Sequence, residues 1–439
     1  MNNQLKKYDL IVAGGGLAGA MAAIAAAREG LSVLIVEASG CFGGAMSNSL
    51  VYPFCPYWTV EENEVKKVIN AGLFTELRER AHTKEHGEEA AFELKKAPIS
   101  LSGGDNKLRW FSPEFVKAAL DDMIVEAGVD VLFHTTVFAT ESEGRRIKSL
   151  RAATAAGEWE LSADFFIDAT GDGDVMMLSG CEYLLGREGD GLTQPMTTCF
   201  RVCNINVEEY KRDLPRIQKL YKEYRESGRI TNPRENILQF YGLGDGIVHY
   251  NTTRVVKHDP TDPLSLSRAE LETRRQITEL FAFLKENCPA YESAVLISVA
   301  SEIGVRESRK LIGEHVITED ELFQGVKYED RIALGNYDMD IHSPDGTGTY
   351  IRKYPRDAYY YIPYRALLPK EYDNLLVAGR CISATHAAQS SIRILPVCAS
   401  MGEAAGVAVS VAKKSLKNTH TLDVSALQAR LRELSLEID

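Results

Sequence analysis

The chain has 439 residues, enough for two or three domains. Its formal net charge of -12 argues against a surface that binds nucleic acid or an anionic membrane, because both need clustered Lys and Arg. The eight cysteines form no CxxC pair, so their spacing excludes zinc and iron–sulfur sites. We predict a cytoplasmic protein with reduced thiols, no metal, and no nucleic-acid or membrane partner.

The N-terminal region follows the order strand, glycine turn, helix, strand, acid. Residues 8–13 are apolar almost throughout, as in a buried parallel strand, and a GxGxxG turn follows at residues 14–19. Residues 17–29 are rich in good helix formers and are followed by a glycine. A second strand at residues 32–36 ends in Glu37. This order, within about 30 residues, is the fingerprint of a dinucleotide-binding fold.

Each part of the fingerprint has a physical role. Gly14 allows the tight turn, Gly16 lets the backbone approach a pyrophosphate, and Gly19 lets the helix pack close to the sheet. The pyrophosphate is then expected at the unpaired N–H groups of the helix N-terminus. Glu37 is expected to accept hydrogen bonds from the adenosine ribose.

The next segment predicts further strands. Residues 130–166 alternate short apolar runs with polar turns, which indicates antiparallel strands beside the parallel sheet. Residues 165–170 form another apolar strand that runs into Gly171. Strands that end in glycine are typical of a sheet whose carboxyl ends open onto a ligand crevice.

The middle of the chain, residues 186–350, is predicted to be a substrate-capping domain inserted into the nucleotide-binding fold. It has no second glycine fingerprint, which argues against a built-in nicotinamide domain. Redox equivalents are therefore expected from the substrate or an external electron acceptor or donor. Two charged helices are predicted, one at residues 207–226 and one that begins with the capping-box pattern Ser267–Glu270 and stops before Pro289.

A third strand, residues 374–378, again runs into a glycine, Gly379. The helix after it, residues 397–413, is rich in small residues and has Pro396 at its start, so it is expected to lie tight against the sheet. The positive end of its dipole is expected to stabilise an anionic group of the ligand. In the tail, Leu427, Leu431 and Leu434 share one helical face and predict a docked helix.

The fingerprint alone does not choose between FAD and NAD, but a resemblance does. The motifs that carry it are residues 14–19 with Glu37, and the segments 41–45, 169–173, 303–309, 361–364, 375–380 and 393–406. In this order the chain resembles bacterial FAD-dependent oxidoreductases distantly similar to the flavoproteins of succinate dehydrogenase and fumarate reductase, and to glucose-inhibited-division-type flavoproteins. The resemblance spans about residues 5 to 415.

The resemblance implies an α/β fold (α+β overall): a Rossmann-like FAD/NAD(P)-binding domain with a three-layer sheet and an inserted cap. The expected boundaries are 1–185 and 351–415 for the two parts of the FAD-binding domain, 186–350 for the cap, and 416–439 for a helical tail. The cofactor is expected to be FAD. The residues expected to bind it are Gly14, Gly16, Leu17, Ala18, Gly19, Glu37, Gly43, Gly44, Ala45, Val137, Ala169, Thr170, Gly171, Asp174, Gly379, Arg380, Arg393 and Ile394.

The proton that accompanies hydride transfer needs an acid or base, and we predict His342 because imidazole titrates near neutral pH. A structural loop histidine is the alternative. Arg306 and Arg309 would share a face if their segment were helical, and could clamp a substrate carboxylate, contact the flavin, or pair with acids. Arg393 is expected near the ring and is counted with Arg306 and His342 as catalytic.

The leading functional hypothesis is an FAD enzyme that oxidises or reduces a small organic substrate by hydride transfer. Two alternatives stay open: an RNA-modifying flavoprotein of the glucose-inhibited-division type, and an FAD-binding protein without turnover. Sequence does not give the substrate, the direction of reaction, the electron acceptor, covalent or non-covalent flavin attachment, or the oligomeric state.

Overall fold

The computed structural model describes residues 3–4, 6–62, 64–87, 111–346 and 348–439. The strands in these ranges are, in chain order, β1 (Asn3–Gln4), β2 (Tyr8–Ala13), β3 (Val33–Val36), β4 (Trp58–Glu61), β5 (Glu64–Val68), β6 (Asp130–Leu132), β7 (Thr136–Glu143), β8 (Arg146–Thr154), β9 (Gly157–Asp168), β10 (Tyr183–Leu185), β11 (Phe200–Cys203), β12 (Gln239–Phe240), β13 (Val248–Tyr250), β14 (Val295–Val299), β15 (Arg309–Leu311), β16 (Arg331–Gly335), β17 (Met339–His342), β18 (Thr349–Arg352), β19 (Tyr360–Pro363) and β20 (Leu375–Val377). The α-helices are α1 (Leu17–Arg28), α2 (Leu73–His86), α3 (Pro113–Ala127), α4 (Asp174–Leu178), α5 (Val207–Glu226), α6 (Pro263–Asn287), α7 (Glu319–Gln324), α8 (His386–Ile392), α9 (Leu395–Lys414) and α10 (Val424–Glu433).

A mixed sheet forms the centre of the fold, with the order β6-β3-β2-β9-β8-β7. The pairs β6–β3, β3–β2, β2–β9 and β9–β20 are parallel, so strands from the two ends of the chain, β2 and β20, share one sheet. The buried Val/Ile/Leu runs of these strands are what a sheet covered on both faces requires. The prediction of one sheet assembled from distant segments is confirmed.

Strand β9 combines two segments that the sequence predicts as separate strands. Its first part, Gly157–Ser162, pairs antiparallel with β8, and its last part pairs in parallel with β2 and β20. The antiparallel strands β7 and β8 therefore extend directly from the parallel sheet. Helices α1, α3 and α9 pack in the core on one face, and β7 and β8 with α4 pack in a second core on the other. This arrangement confirms the predicted α/β class and its layers.

Helix α1 ends where the glycine predicted it. Gly30 takes a positive φ of 92°, and its N–H donates to Ala27 O while the N–H of Leu31 donates to Ala26 O. These two bonds satisfy carbonyls that the helix end leaves unpaired. The chain then turns directly into β3.

A smaller sheet, with the order β12-β13-β11-β14, lies in the predicted cap region. It packs with α5 and α6 around its own apolar core, which includes Phe200, Val202, Tyr250 and Leu284. By contrast, Ile317 and Ile332 belong to the core of the central sheet, although they also fall between residues 186 and 350. The domain boundaries given above stay a prediction.

The start of α6 corrects one prediction. The helix is capped by Asp262, whose carboxylate accepts from Ser265 N at 2.6 Å, and Ser267 lies inside the first turns with its hydroxyl donating to Pro263 O. The Asp262-Pro263 pair is itself a helix-start signal and precedes the false capping box. The predicted end before Pro289 and the bounds 207–226 of α5 are confirmed.

The small residues of α9 face another helix rather than the sheet, which corrects a second prediction. A Cβ on Gly402 would lie 1.9 Å from Ala18 O, and one on Gly406 would lie 2.2 Å from Ala22 O. Helix α9 thus packs backbone against backbone along α1. By length and composition α9 could cross a membrane, but 89% of its most apolar window is buried inside the protein.

The tail contains the predicted docked helix, α10. Asp423 caps it, and Leu427 and Leu431 are fully buried against the central core. Leu434 is the C-cap residue rather than part of the helix, and is half-buried against the same core.

Candidate active site

A cleft opens at the carboxyl ends of β2, β3, β9 and β20. Its empty volume is about 1350 Å³, part of it open to solvent. The residues that follow these strands, among them Gly14, Glu37, Ala169 and Gly379, all line it. Parallel strands place such residues side by side, and ligands bind in this position in open α/β sheets.

The first glycine turn is shaped by close backbone contacts. Gly14 has a φ of 99°, and a Cβ there would lie 2.3 Å from Ala169 O. A Cβ on Gly19 would lie 1.8 Å from Gly14 O, so the helix packs against the turn only because both residues lack side chains. At Gly16 a Cβ would meet only Gly44 Cα, at 3.9 Å. The turn is therefore closely packed at Gly14, whereas at Gly16 it leaves free space towards the cleft.

Helix α1 begins at this opening. Gly16 is its N-cap and offers no side-chain cap, and the first turn of the helix contains no acidic residue. Leu17 and Ala18 line the cleft, so the uncapped N–H groups and the positive end of the helix dipole face it. This geometry suits an anionic group such as a pyrophosphate.

A second pair of glycines closes the opposite wall. Gly43 and Gly44 have φ of 107° and 53°, and Gly43 N donates to Gly15 O at 2.9 Å. A Cβ on Gly44 would lie 2.9 Å from Gly16 Cα. The two glycine turns therefore touch through their backbones and frame one narrow groove.

The carboxylate of Glu37 is held by the backbone of this groove. Its Oε2 accepts from Gly15 N at 2.6 Å and its Oε1 from Ser39 N at 2.7 Å. The side chain is 8% exposed and lines the cleft. A carboxylate fixed in this way has remaining lone pairs for a hydroxyl-bearing ligand.

Arg380 ties together three segments around the cleft. Its guanidinium donates to Gly171 O at 2.8 Å, to Val305 O at 2.7 Å and to Asp172 Oδ1 at 2.5 Å. Nearby, burial and the charge of Asp172 raise the pKa of Asp174, whose carboxylate accepts from Arg309 at 3.0 Å. The predicted cofactor-binding arginine therefore also organises the wall of the cleft.

The structure brings nearly all the predicted cofactor-binding residues to this cleft. Gly19 and Ile394 are the two that do not line it; Gly19 lies within α1, and Ile394 is the N-cap of α9, between the cleft-lining residues Arg393 and Leu395. Sequence reasoning missed several lining residues on loops or at the start of a strand, namely Asn48, Ser49, Thr135, Thr136, Glu302 and Val305. Asn48 and Ser49 follow Gly43 and Gly44 closely, so their position in the chain is a signal that could have found them.

The prediction that Arg306 and Arg309 share a helical face is wrong, because their segment is extended. Arg306 donates to Pro195 O at 2.6 Å and to Thr197 Oγ1 at 2.7 Å. Arg309 begins β15 and turns away, towards Asp174. Residues three apart on an extended chain point to opposite sides. Burial and the charge of Arg393 lower the pKa of Arg306 to about 9.

His342 lies close to Arg306 but lacks the property for which it was chosen. The imidazole is 7% exposed, and burial together with the charge of Arg306 lowers its pKa to about 3. Arg254 Nη2 lies 3.1 Å from Nδ1, and Asp340 Oδ2 lies 3.5 Å from Nε2. Since a guanidinium only donates, Nδ1 accepts and Nε2 carries the hydrogen. At neutral pH His342 is an uncharged hydrogen-bonding group, which corrects the near-neutral pKa that we predicted.

A buried ionic chain lies beside these residues. Lys310 Nζ donates to Glu307 Oε1 at 2.5 Å, and His386 Nδ1 lies 2.7 Å from Glu307 Oε2. Burial alone would raise the pKa of Glu307, but the hydrogen bond with His386 and the charge of Lys310 lower it. Gln389 and Arg393, which follow His386 in the chain, both donate to Arg306 O. This chain of contacts fixes the extended segment around Arg306.

A glycine groove, an uncapped helix N-terminus and a fixed acid at the carboxyl ends of parallel strands define a dinucleotide-binding protein. The chain belongs to the FAD dependent oxidoreductase family, whose family model matches residues 9–431. FAD is accordingly its cofactor. The sequence has no significant match among the curated proteins.

Solved structures of low sequence identity are similar to this chain. A geranylgeranyl bacteriochlorophyll reductase-like protein from Thermoplasma acidophilum is 12% identical, with a TM-score of 0.48, and the match covers 99% of this chain and 84% of that one. p-Nitrophenol 4-monooxygenase PnpA from Pseudomonas putida is 10% identical, with a TM-score of 0.44 and coverage of 98% and 81%. CabE, an aromatic hydroxylase from angucycline biosynthesis, is 12% identical, with a TM-score of 0.43 and coverage of 97% and 63%.

Proposed function

We propose that this protein transfers hydride between FAD and a small organic substrate bound between the central sheet and the four-stranded sheet of β11–β14. One observation carries the proposal: Arg393 lines the cofactor cleft and donates at 3.2 Å to Arg306 O, so the cleft continues directly into a buried group of polar side chains. A redox cofactor needs such a place for its substrate beside the reactive ring.

The residues of the cleft fit FAD. We assign the pyrophosphate to the N–H groups at the start of α1 and to the groove between Gly16 and Gly44, where a Cβ on Gly16 would fill free space. We assign the ribose to Glu37 and the adenine to Val137. When bound, FAD supplies the acceptor or donor of hydride.

The flavin end of the cleft is assigned to the segments around Arg380 and Arg393. Arg393, Leu395 and Cys398 line the cleft, and the N-terminus of α9 begins there without a side-chain cap. Its N–H groups favour negative charge at that position. Arg393 also donates to Asp340 O at 3.2 Å, so its guanidinium has fixed orientation.

For the substrate, we assign Arg306 and Arg393 as the orienting cations and His342 as an uncharged hydrogen-bonding residue. Burial alone would raise the pKa of Asp340, but the hydrogen bond with His342 and the charges of Arg393 and Arg306 hold it well below its usual range. Asp340 is therefore the ionised member of this group. A distant relation to the succinate dehydrogenase and fumarate reductase flavoproteins would agree with hydride chemistry on a small molecule.

The first test is the visible spectrum of the purified protein, repeated on the supernatant after acid precipitation. We expect a two-banded flavin spectrum that acid releases, and bleaching of the bands under anaerobic conditions by a substrate found in a screen. A colourless protein that takes up no added FAD would contradict the proposal. Bound FAD with no reactivity towards any donor or acceptor would favour the non-catalytic alternative, and salt-dependent RNA binding would favour the RNA-modifying one.

The second test separates substrate orientation from cofactor binding. We expect Arg306→Gln to retain its FAD and to lose about tenfold or more in kcat/KM, because a charge-assisted hydrogen bond is removed. Arg212→Gln, on the exposed side of α5, is the matched control and should keep both properties. If kcat/KM were equal in the two variants, the assignment of Arg306 as a substrate-orienting residue would be wrong.

A further inference from the structure

The four-stranded sheet has two chemically different faces. Phe200, Val202 and Tyr250 point into the apolar core beneath α5 and α6. Arg201 and His249 alternate with them and are direct partners across β11 and β13, so they share the opposite face. That face lies towards the N-terminal part of the chain, where the ring of Tyr52 is 5.4 Å from the ring of His249.

Several polar atoms on this face, and on Arg234 in the segment before β12, are buried without a partner among the described residues. Both ring nitrogens of His249 lack a hydrogen bond, although the residue is fully buried. Nε and Nη2 of half-buried Arg201, and Nη1 of Arg234, which is 5% exposed, also lack one. Buried polar groups are nearly always hydrogen-bonded in folded proteins, so three such side chains together indicate a missing hydrogen-bonding ligand.

The same side chains belong to a group with an excess of positive charge. Besides Arg201 and Arg234, the group contains the buried Arg254 and the half-buried Arg306 and Arg393. Burial lowers the pKa of each of them. The carboxylates whose charges act on them are those of Asp340, Glu235, Glu114 and Glu307, and Glu307 is already paired with Lys310 and His386. Neither Arg201 nor Arg234 forms an ion pair with a described residue within 4 Å.

The group is continuous with the cofactor cleft. Arg393 lines the cleft and contacts the backbone of Arg306. Arg306 donates to Thr197 Oγ1, and also lies 3.3 Å from Asn251 Oδ1, two residues after His249. Cys199 lies between Thr197 and Arg201 in the chain, and the charges of Arg306, Arg201 and Arg234 all act on its thiol group.

We propose that Arg201, Arg234 and His249, together with Arg306 and Arg393, form a pocket that binds the carboxylate of an organic substrate. The inference deepens the proposed oxidoreductase function and rests on it. A guanidinium fork matches the two oxygens of a carboxylate, and a buried cation without a counter-ion becomes favourable when an anion pairs with it. The uncharged imidazole of His249 adds one donor and one acceptor.

The pocket is tested on the purified protein with its flavin bound. Benzoate and glutarate are titrated, with benzamide and glutaramide as uncharged counterparts and potassium chloride at equal ionic strength. Binding is read from the shift of the flavin absorbance bands and, independently, from the thermal unfolding midpoint. We expect at least one carboxylate to bind and its amide to bind at least tenfold more weakly.

The matched variants are Arg201→Gln and Arg234→Gln, with the exposed Arg212→Gln as control. Each of the first two should weaken carboxylate binding by about ten- to hundredfold, since each removes a charged hydrogen bond, and Arg212→Gln should leave it unchanged. Without ligand, Arg234→Gln should unfold at no lower temperature than the wild type, because it removes an unpaired buried charge. Arg234→Lys, which keeps the charge, should retain part of the binding.

Three results would overturn the inference: amides that bind as well as carboxylates, variants that bind as well as the wild type, or inorganic phosphate that binds in preference to every carboxylate. If the protein carries FAD but gives one of these results, the carboxylate pocket is refuted and the proposed oxidoreductase function is not. A protein that carries no FAD loses the proposed function, and carboxylate binding is then judged from thermal unfolding alone.

Discussion

Glu403 provides a sharp test of the electrostatics of the core. This residue lies in the middle of α9, is 3% exposed, and its Oε2 accepts from Leu73 N at 2.9 Å. Burial raises its pKa from the usual 4.5 to about 8, although the backbone hydrogen bond and the charge of Arg28 oppose the shift. The folded protein therefore holds a proton on Glu403 at neutral pH.

The consequence is a loss of stability as the pH rises. Between about pH 4.5 and pH 8 the folded state binds this proton more tightly than the unfolded state, so the free energy of unfolding falls with pH and levels off above about 8. One unit of pKa corresponds to about 1.4 kcal/mol, so the difference between 4.5 and about 8 corresponds to at most roughly 5 kcal/mol. Water that reaches the ionised carboxylate would reduce this figure.

The substitution Glu403→Gln removes the titration and keeps the shape and the hydrogen bond to Leu73. Urea unfolding at several pH values between 5 and 9.5, with excess FAD, measures the free energy of unfolding of both proteins. We expect similar stability near pH 5 and a variant that is more stable by several kcal/mol at pH 9. Glu223→Gln on the exposed side of α5 is the control for a general charge effect.

The comparison must be a difference between wild type and variant, because other buried groups titrate as well. His249 and His342 have pKa values lowered to about 3, and they act in the opposite direction, with stability lost as the pH falls below 6.5. A difference between wild type and Glu403→Gln that does not change with pH would show that Glu403 is ionised in the folded protein, and would refute the reasoning.

Three further predictions concern the cofactor cleft and the packing of α1 against α9. Without flavin, the free energy of unfolding of Gly16→Ala should lie within about 1 kcal/mol of the wild-type value, but the variant should lose FAD, because its Cβ fits the fold and enters the groove. Gly14→Ala should lose stability, because its Cβ would lie 2.3 Å from a carbonyl oxygen at a φ of 99°. Urea unfolding and flavin content measure both effects. Glu37→Gln should weaken FAD binding by roughly tenfold or more in a fluorescence titration, and unchanged affinity would contradict its ribose role. Gly402→Ala should destabilise the protein by at least about 2 kcal/mol, although alanine favours a helix by about 1 kcal/mol, since its Cβ would lie 1.9 Å from Ala18 O; an equal or higher melting temperature would contradict the close packing of α1 and α9.

The nucleotide-binding half of the fold could be predicted because its signals are local. The GxGxxG turn, the acid at Glu37 and the glycines after two later strands each depend on a few neighbouring residues, and parallel pairing brings them to one edge. The errors arose where two local signals competed. Ser267–Glu270 has the form of a capping box, but Asp262-Pro263 starts the helix earlier, and the Glu270 carboxylate instead accepts from Ile303 N at 2.7 Å.

The catalytic candidates were harder to predict because their chemistry depends on burial, which sequence does not give. His342 was predicted as the acid or base from the pKa of an exposed imidazole. The fold instead buries the residue among Arg254, Arg306 and Asp340. A local signal for the polar face of the four-stranded sheet did exist. In Phe200-Arg201-Val202 and Val248-His249-Tyr250, period-two alternation puts a polar residue between two core residues on each strand, so Arg201 and His249 must lie on the face opposite the apolar core. The sequence of either strand alone does not show what packs against that face. This follows only from the pairing of β11 with β13 and from the contacts of Arg306, which lies about a hundred residues further along the chain.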